Sequence, residues 1–347
     1  KLDLKLKTSY KKDNLIQDIK EKMYTPPYNA YFKINNDKPI IVNETPGLEL
    51  DEGLLIKNIY NAILKGHETV HVPVRKIEPD ITKTDLELMK ITLKSAEYSS
   101  IFNKNQKSRT ENIRLCAKKL NGYILAPNSV FSFNEVVGER TAETGYKRAP
   151  IYVNNEVISG IGGGVCQVSS TLYNIALLCE LEIIERSNHS LPVSYVPLGC
   201  DATVNYNQID LKFKNNTGSF LLINAELNDN RLIIKFFSDK IFDKKIKLEP
   251  RIIKTIKPPI ITKSDLSLDE GKINIKQGKP GFVVQLYKIY EKGQIKKEKV
   301  ISQDTYNPIP TIIYVGKKEV RKQIKDFSQE VNSNNEDEYE DEDNSSS

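Results

Sequence analysis

The sequence predicts a multidomain α+β protein. A mixed helix and antiparallel-sheet catalytic domain is expected between a small α+β domain and an extended β-module. Three observations carry this. The chain has 347 residues, about twice the length of an average domain. Helical and strand periodicities are interleaved over the first two thirds, and the strands are joined by the Asn, Asp and Gly residues of hairpin turns. Beyond about residue 245 the segments become strand-like, rich in Lys and Ile, and broken by prolines at 258, 259, 280, 308 and 310.

Residues 1–79 read as one small domain. "DNLIQDIKEKM" opens at the capping candidates Asp13 or Asn14 and places Leu15, Ile16, Ile19 and Met23 on one helical stripe. "AYFKINNDKPIIV" reads as two strands around an Asn-Asn-Asp turn. "LDEGLLIKNIYNAILKG" is a second helix, capped near Asp51 and stopped by Gly66. "TVHVPVRKI" closes the domain as a strand, with Val70, Val72 and Val74 on one face and His71 on the other. His67 and His71 are four apart, a metal spacing on a helix but not on a strand, so no metal site is expected.

Residues 80–245 form the longest stretch. "SRTENIRLCAKKLNGY" is a helix with Cys116 near its middle, and "APNSVFSFNEVVG" is turn, strand, turn. "APIYVNNEVISG" is a hairpin bending at Asn154 and Asn155. "VCQVSSTLYNIALLCELE" repeats Val168, Leu172, Ala176 and Cys179 on one helical face. "LEIIER" is a strand, and "IDLKFKNNTGSFLLINAELNDNRLIIKFFSD" finishes the region as antiparallel strands. Residues 246–316 read as a narrow β-module with a long hairpin around Glu291, Lys292 and Gly293. Residues 317–347 read as a disordered acidic tail.

The net charge of +5 conceals an asymmetry, because residues 329–347 hold eight carboxylates and no Lys or Arg, leaving the rest near +13. A basic body favours anionic partners: nucleic acid, anionic cell-wall polymers or acidic lipid heads. The basic residues are scattered, with no RNA-recognition motif, finger or basic helix, which argues against nucleic acid. No apolar run approaches the roughly 18 residues of a membrane span. The chain begins at Lys1, so an upstream export signal or anchor is the one expected route to a membrane. The four cysteines, 116, 166, 179 and 200, lack metal spacing and are too few for a disulfide scaffold.

The stretch that asks for chemistry is "SGIGGGVCQVSSTLYN", residues 159–174, where four glycines fall within five positions before Cys166. A phosphate loop would need a terminal Gly-Lys-Ser/Thr, and the dinucleotide pattern fails at Val165. A bare backbone that delivers a cysteine to the first turn of a helix fits better. Aligned amides there favour the thiolate and can hold a developing oxyanion. On this reading the glycines serve no packing purpose. A nucleophilic cysteine needs a base, and His189 in "ERSNHSLPVSYVP" is the only histidine of the middle region. Asp201 in "GCDATV" is a carboxylate that could orient it, in competition with Asn188, Ser190 and backbone carbonyls.

These residues carry a resemblance. "FSFNEVVGERTAETGYKRAPIY", "GIGGGVCQVSSTLYNIAL", "ERSNHSLPVSYVPLGCDATV" and "DLKFKNNTG" run in order over about 125 to 225 and resemble the VanW domain of Gram-positive bacteria. Residues 1–79 resemble the peptidoglycan-binding unit that often precedes it, and residues 246–316 the G-five type module that often follows. Cys200 is a departure, since relatives usually place a non-cysteine residue before the aspartate. The resemblance implies a cell-wall L,D-transpeptidase that makes 3-3 peptidoglycan cross-links through a cysteine, on the outer face of the membrane or in the wall. Carried over, that cysteine is Cys166 and the histidine is His189; with Asp201 they are the expected catalytic residues, and Gly163, Gly164, Gln167, Ser190 and Tyr195 are expected to bind substrate. Gln167 is expected to add a side-chain donor, by analogy with papain-like enzymes. The partners implied are peptidoglycan stem peptides, and no cofactor is implied. A cysteine hydrolase of peptidoglycan (an L,D-carboxypeptidase) and a non-catalytic wall-binding protein are the alternatives.

Overall fold

The computed structural model describes residues 3–5, 12–153, 156–242, 245–292 and 295–316. The expected bends at Asn154–Asn155 and at Gly293, and the expected acidic tail, lie outside the described residues. The described chain is α+β and multidomain: helices are combined with several small, mostly antiparallel sheets. It divides into two units, one of Lys1–Ile151, Ser159–Ser187 and Asp201–Ile246, and one of Tyr152–Ile158, Asn188–Cys200 and the chain from Lys247 onward.

In the first unit the N-terminal helix runs Lys12–Met23, so Asp13 and Asn14 lie within it rather than capping it. Its Ile16 and Ile19 pack with Leu50, Leu55, Ala62, Val70 and Val72 in one core, flanked by Leu15 and Met23. The helix Glu52–Leu64 starts at Asp51, whose side chain accepts from the Leu54 amide, and Gly66 follows its end at φ 70°. The hairpin Tyr31–Asn35 and Lys38–Val42 turns on Asn36 and Asp37, both at positive φ, the backbone that a two-residue hairpin loop requires. The closing segment is two strands, Thr69–His71 and Val74–Ile77, instead of one. Pro73 has no amide to donate and breaks the run, so Val70 and Val72 are buried while Val74 is exposed.

The central sheet is antiparallel, in the order Leu93–Ile101, Arg231–Ser238, Leu221–Asn228, Ile124–Leu125. The helix Val165–Leu178 packs on its first two strands, and the helix Lys107–Leu120 packs on Leu221–Asn228 and against the other helix. Ile113, Cys116, Leu120, Val168, Leu172, Ile175, Leu232, Ile234 and Phe236 are all fully buried. Each such large side chain contributes roughly 1.5–3 kcal/mol by leaving water. A second sheet pairs Glu182–Glu185, Lys212–Lys214 and Val130–Ser132, with the Phe131 and Phe213 rings stacked at 4.7 Å. The segment after Val130–Ser132, expected to be a turn, is the short helix Phe133–Val137, because the Ser132 side chain caps the Glu135 amide. The N-terminal hairpin is tied to the central sheet at Asp37, which accepts from Lys235 Nζ at 2.8 Å and from Lys94 Nζ. These two lysines, Lys235 foremost, hold the Asp37 carboxyl below its ordinary value.

The second unit contains two three-stranded sheets. Lys245–Ile256, Gly281–Lys292 and Ile295–Tyr306 form one; Ile260–Asp265, Thr311–Gly316 and Ile273–Lys276 form the other. The long expected hairpin is present, its strands paired from Phe282 with Tyr306 to Lys292 with Ile295. Its small core holds Val284, Leu286, Ile289 and Tyr306. The segment 188–200 sits on this hairpin. Asn188 Nδ2 donates to Thr305 O at 3.0 Å, Asn307 N to Ser190 O at 2.7 Å, and Gly199 N to the Tyr306 hydroxyl at 2.6 Å.

Candidate active site

Cys166 is the second residue of the helix Val165–Leu178, entered from the hairpin Arg148–Val153 and Glu156–Ile161. Its side chain is partly exposed, while the helix from Gln167 to Leu177 is buried throughout. Cys166 Sγ lies 3.6 Å from Val204 O. The segment bearing Val204 is pinned to the helix by serines. Ser169 Oγ donates to Ala202 O at 2.6 Å, and Ser170 Oγ accepts from Ala202 N at 2.9 Å while donating to Cys166 O at 2.7 Å. The buried hydroxyls of this first turn thus satisfy backbone groups on two elements and set the backbone beside the thiol.

The glycines have a steric reason, contrary to the expectation that they serve no packing purpose. A Cβ on Gly163 would meet Pro150 O at 2.5 Å and Ala149 C at 2.8 Å, all backbone. Gly164, the helix N-cap, has φ 110°, and a Cβ there would lie 3.0 Å from both Arg109 Cγ and Ile113 Cγ1. The turn is therefore pressed between the helix Lys107–Leu120 and the strand Arg148–Val153, with Asn112 Nδ2 donating to Gly163 O at 3.0 Å. Its amides are partly committed, since Val165 N donates to Gly162 O and Gln167 N to Gly164 O.

Gln167 makes its side-chain hydrogen bonds within the first unit. It is fully buried, and its Nε2 donates to Ser100 Oγ and Ile101 O while its Oε1 accepts from Arg109 at 2.8 Å. With both amide protons committed to protein oxygens, it ties the helix to the strand Leu93–Ile101. Asp201, also in the first unit, is wholly buried. Arg186 donates from Nε to Asp201 O at 2.7 Å, and its Nη2 lies 3.5 Å from Asp201 Oδ1. The guanidinium also stacks 5.0 Å from the Tyr173 ring centroid. His189, Ser190 and Tyr195 belong to the second unit. His189 is buried, and its ring meets Tyr195 edge-on at 6.4 Å, whereas Ser190 is exposed.

The other thiols sit in different surroundings. Cys116, Cys179 and Cys200 are buried. Burial pushes the Cys116 thiol far up, with the Arg140 charge pulling the other way. Limited iodoacetamide treatment at neutral pH is therefore expected to modify Cys166 first, since the thiolate is the reactive form. Faster alkylation of Cys116 or Cys179 in the native protein would overturn Cys166 as the most reactive thiol.

Comparison with known proteins follows the same arrangement. The pattern described as "VanW like protein" matches residues 108–237, which hold the glycine turn and Cys166. Over 244 residues the chain is 36 % identical to YoaR, an uncharacterized protein of Bacillus subtilis (strain 168), covering 70 % of this chain and 78 % of that protein. The chain belongs to the VanW family. The VanW family relatives include the vancomycin B-type resistance protein VanW of Enterococcus faecalis (strain ATCC 700802 / V583). That protein is 36 % identical over 140 residues, 39 % of this chain and 51 % of its own length. Residues 1–71 match the "Putative peptidoglycan binding domain" pattern and residues 251–318 the G5 domain. Arg140, Asn134 and Asn112 are further polar residues around this site that carry no motif in the sequence. Their partners, Tyr206, Asn205, Ile209, Lys147 and Gly163, are distant enough in sequence to leave no local signal.

Proposed function

We propose that this VanW family member is a cell-wall protein that acts on peptidoglycan as an L,D-transpeptidase, with Cys166 as nucleophile. One observation carries the reading: a partly exposed thiol at the N-terminal turn of a buried helix, directly after a glycine turn of sterically required shape. The peptidoglycan-binding and G5 matches on either side support a wall location.

In this reading the Cys166 thiolate attacks the carbonyl carbon of the third stem residue. The C–N bond to the terminal D-alanine breaks, and His189 supplies the proton that the leaving amine needs. A thioester remains on Cys166. The side-chain amine of a second stem then attacks it, gives its proton to His189, and expels the thiolate. The amides of Gly163 and Gly164, which bond no backbone carbonyl among the described residues, are the donors assigned to the oxyanion of both steps.

Incubation with purified disaccharide-tetrapeptide, followed by mass spectrometry, tests this. The expected products are a dimer joined third residue to third residue and free D-alanine. D-alanine with only monomeric tripeptide at high acceptor concentration would make the protein a hydrolase, because water then outcompetes the amine. No D-alanine at all would leave a wall-binding protein.

A further inference from the structure

Arg140 is a half-buried cation whose Cβ approaches Gly162 of the turn before Cys166, and its hydrogen-bond and ring partners are all neutral. Its Nη1 donates to Asn134 Oδ1 at 2.7 Å and to Gly138 O at 3.0 Å, and its guanidinium carbon lies 5.5 Å from the Tyr206 ring centroid. Among the described residues no carboxylate forms an ion pair with it. The nearby buried acid, Asp210, is occupied elsewhere: its oxygens accept from Ser132 Oγ, Asn134 N and Leu211 N. A guanidinium partly withdrawn from water without a counter-charge is costly, and it gains most from a ligand that brings one.

The position of this cation is set from both sides of the thiol. On one side, Arg140 Cβ lies 3.3 Å from where a Cβ on Gly162 would stand, and Gly162 O accepts from Val165 N at the entry to the helix. On the other, Tyr206 lies two residues beyond Val204, whose carbonyl touches Cys166 Sγ. Asn134 locks the two sides together, since its Nδ2 donates to Asn205 O and Ile209 O while its Oδ1 holds the arginine. Arg140 thus reaches from the turn that precedes Cys166, which its Cβ approaches, to the segment that touches the thiol, where its guanidinium lies over Tyr206. Asn134 and Gly138 engage Nη1, and no described protein group takes Nε or Nη2.

We propose that Arg140 binds the terminal carboxylate of the donor stem peptide. The inference rests on the transpeptidase reading for its substrate. In a tetrapeptide stem the free carboxylate stands one residue, about 3.5 Å of chain, beyond the carbonyl that meets the thiol. A guanidinium fork matches a carboxylate in shape as well as charge, and a lysine would supply only the charge. Holding that carboxylate selects stems whose fourth residue is terminal, and it sets the scissile carbonyl against Cys166.

The test compares disaccharide-tetrapeptide with the same stem carrying a C-terminal amide. D-alanine (or D-alanine amide) release is followed with the wild type, Arg140→Gln and Arg140→Lys. Equilibrium binding of both stems is measured on Cys166→Ala with and without Arg140→Gln. We expect the wild type to prefer the acid over the amide, and Cys166→Ala to bind the acid about 10- to 100-fold more tightly, the range of a charge-assisted contact. Arg140→Gln should erase that preference, raising KM for the acid more than it lowers kcat, and Arg140→Lys should restore part of it. Equal treatment of acid and amide by the unmutated protein overturns the inference, whatever the variants do. So does an acid preference that survives Arg140→Gln. If no D-alanine is released yet Cys166→Ala binds the acid in an Arg140-dependent way, the transpeptidase reading fails and the carboxylate site stands.

Discussion

Replacing Cys166 with alanine is expected to abolish both D-alanine release and dimer formation, by at least about a thousandfold, as loss of a covalent nucleophile does. The fold should survive, because the side chain is partly exposed and its approach to Val204 O, at 3.6 Å, is long. No other thiol can take its place: Cys116 is buried and held protonated by that burial, and Cys179 and Cys200 are buried as well. Circular dichroism and a urea midpoint matching wild type, with no product by mass spectrometry, would meet the expectation. Turnover above a few per cent of wild type would mean that the chemistry runs through another group.

The second large effect is expected at Gly163. Its Cβ would overlap the backbone of Ala149 and Pro150, and a backbone cannot rotate away as a side chain can. Gly163→Ala must therefore push the turn off the strand Arg148–Val153, which also strains the bond from Asn112 Nδ2 to Gly163 O. Overpacking of this kind costs about 1–3 kcal/mol or more. Because the displaced turn leads into Cys166, we expect a lowered urea midpoint together with iodoacetamide labelling of Cys166 slowed at least about tenfold, since thiol reactivity follows its setting. Gly66→Ala is the control, since a Cβ there would meet no other atom and its strain lies far from the turn in sequence. Unchanged midpoint and labelling in Gly163→Ala would show that the turn tolerates a side chain.

Much of the architecture was legible because it follows from periodicity. The stripe Ile16, Ile19 and Met23, the Asp51 cap and the Asn36–Asp37 turn are local signals, and the structure realises them. The strand Leu93–Ile101 was not legible. It opens with Leu93 and ends with Ile101, but its buried interior includes Ser95 and Ser100, small polar residues whose burial is arranged by Lys240 O and Gln167. The short helix Phe133–Val137 is fixed by a cap, not by a period. At the site, sequence pointed to the thiol and its glycines but misread why the glycines are there. Their constraint comes from Arg109, Ile113, Ala149 and Pro150, residues brought in by other elements. The side-chain partners of Gln167 were not legible for the same reason, since they come from the segments around residues 100 and 109.

The Asp37 tie has a consequence for the order in which the chain matures. Asp37 is 57 residues from Lys94 but 198 from Lys235. The strand carrying Lys235 lies between Leu93–Ile101 and Leu221–Asn228, so the central sheet has no middle until that strand arrives. In a chain emerging from its N-terminus, the first hairpin waits for most of the sequence before it is secured. The helix bearing Cys166 packs on the same late strand and waits with it. The nascent protein thus carries its thiol through synthesis without a finished platform beneath it, and Cys166 is set only when nearly the whole first unit has been made.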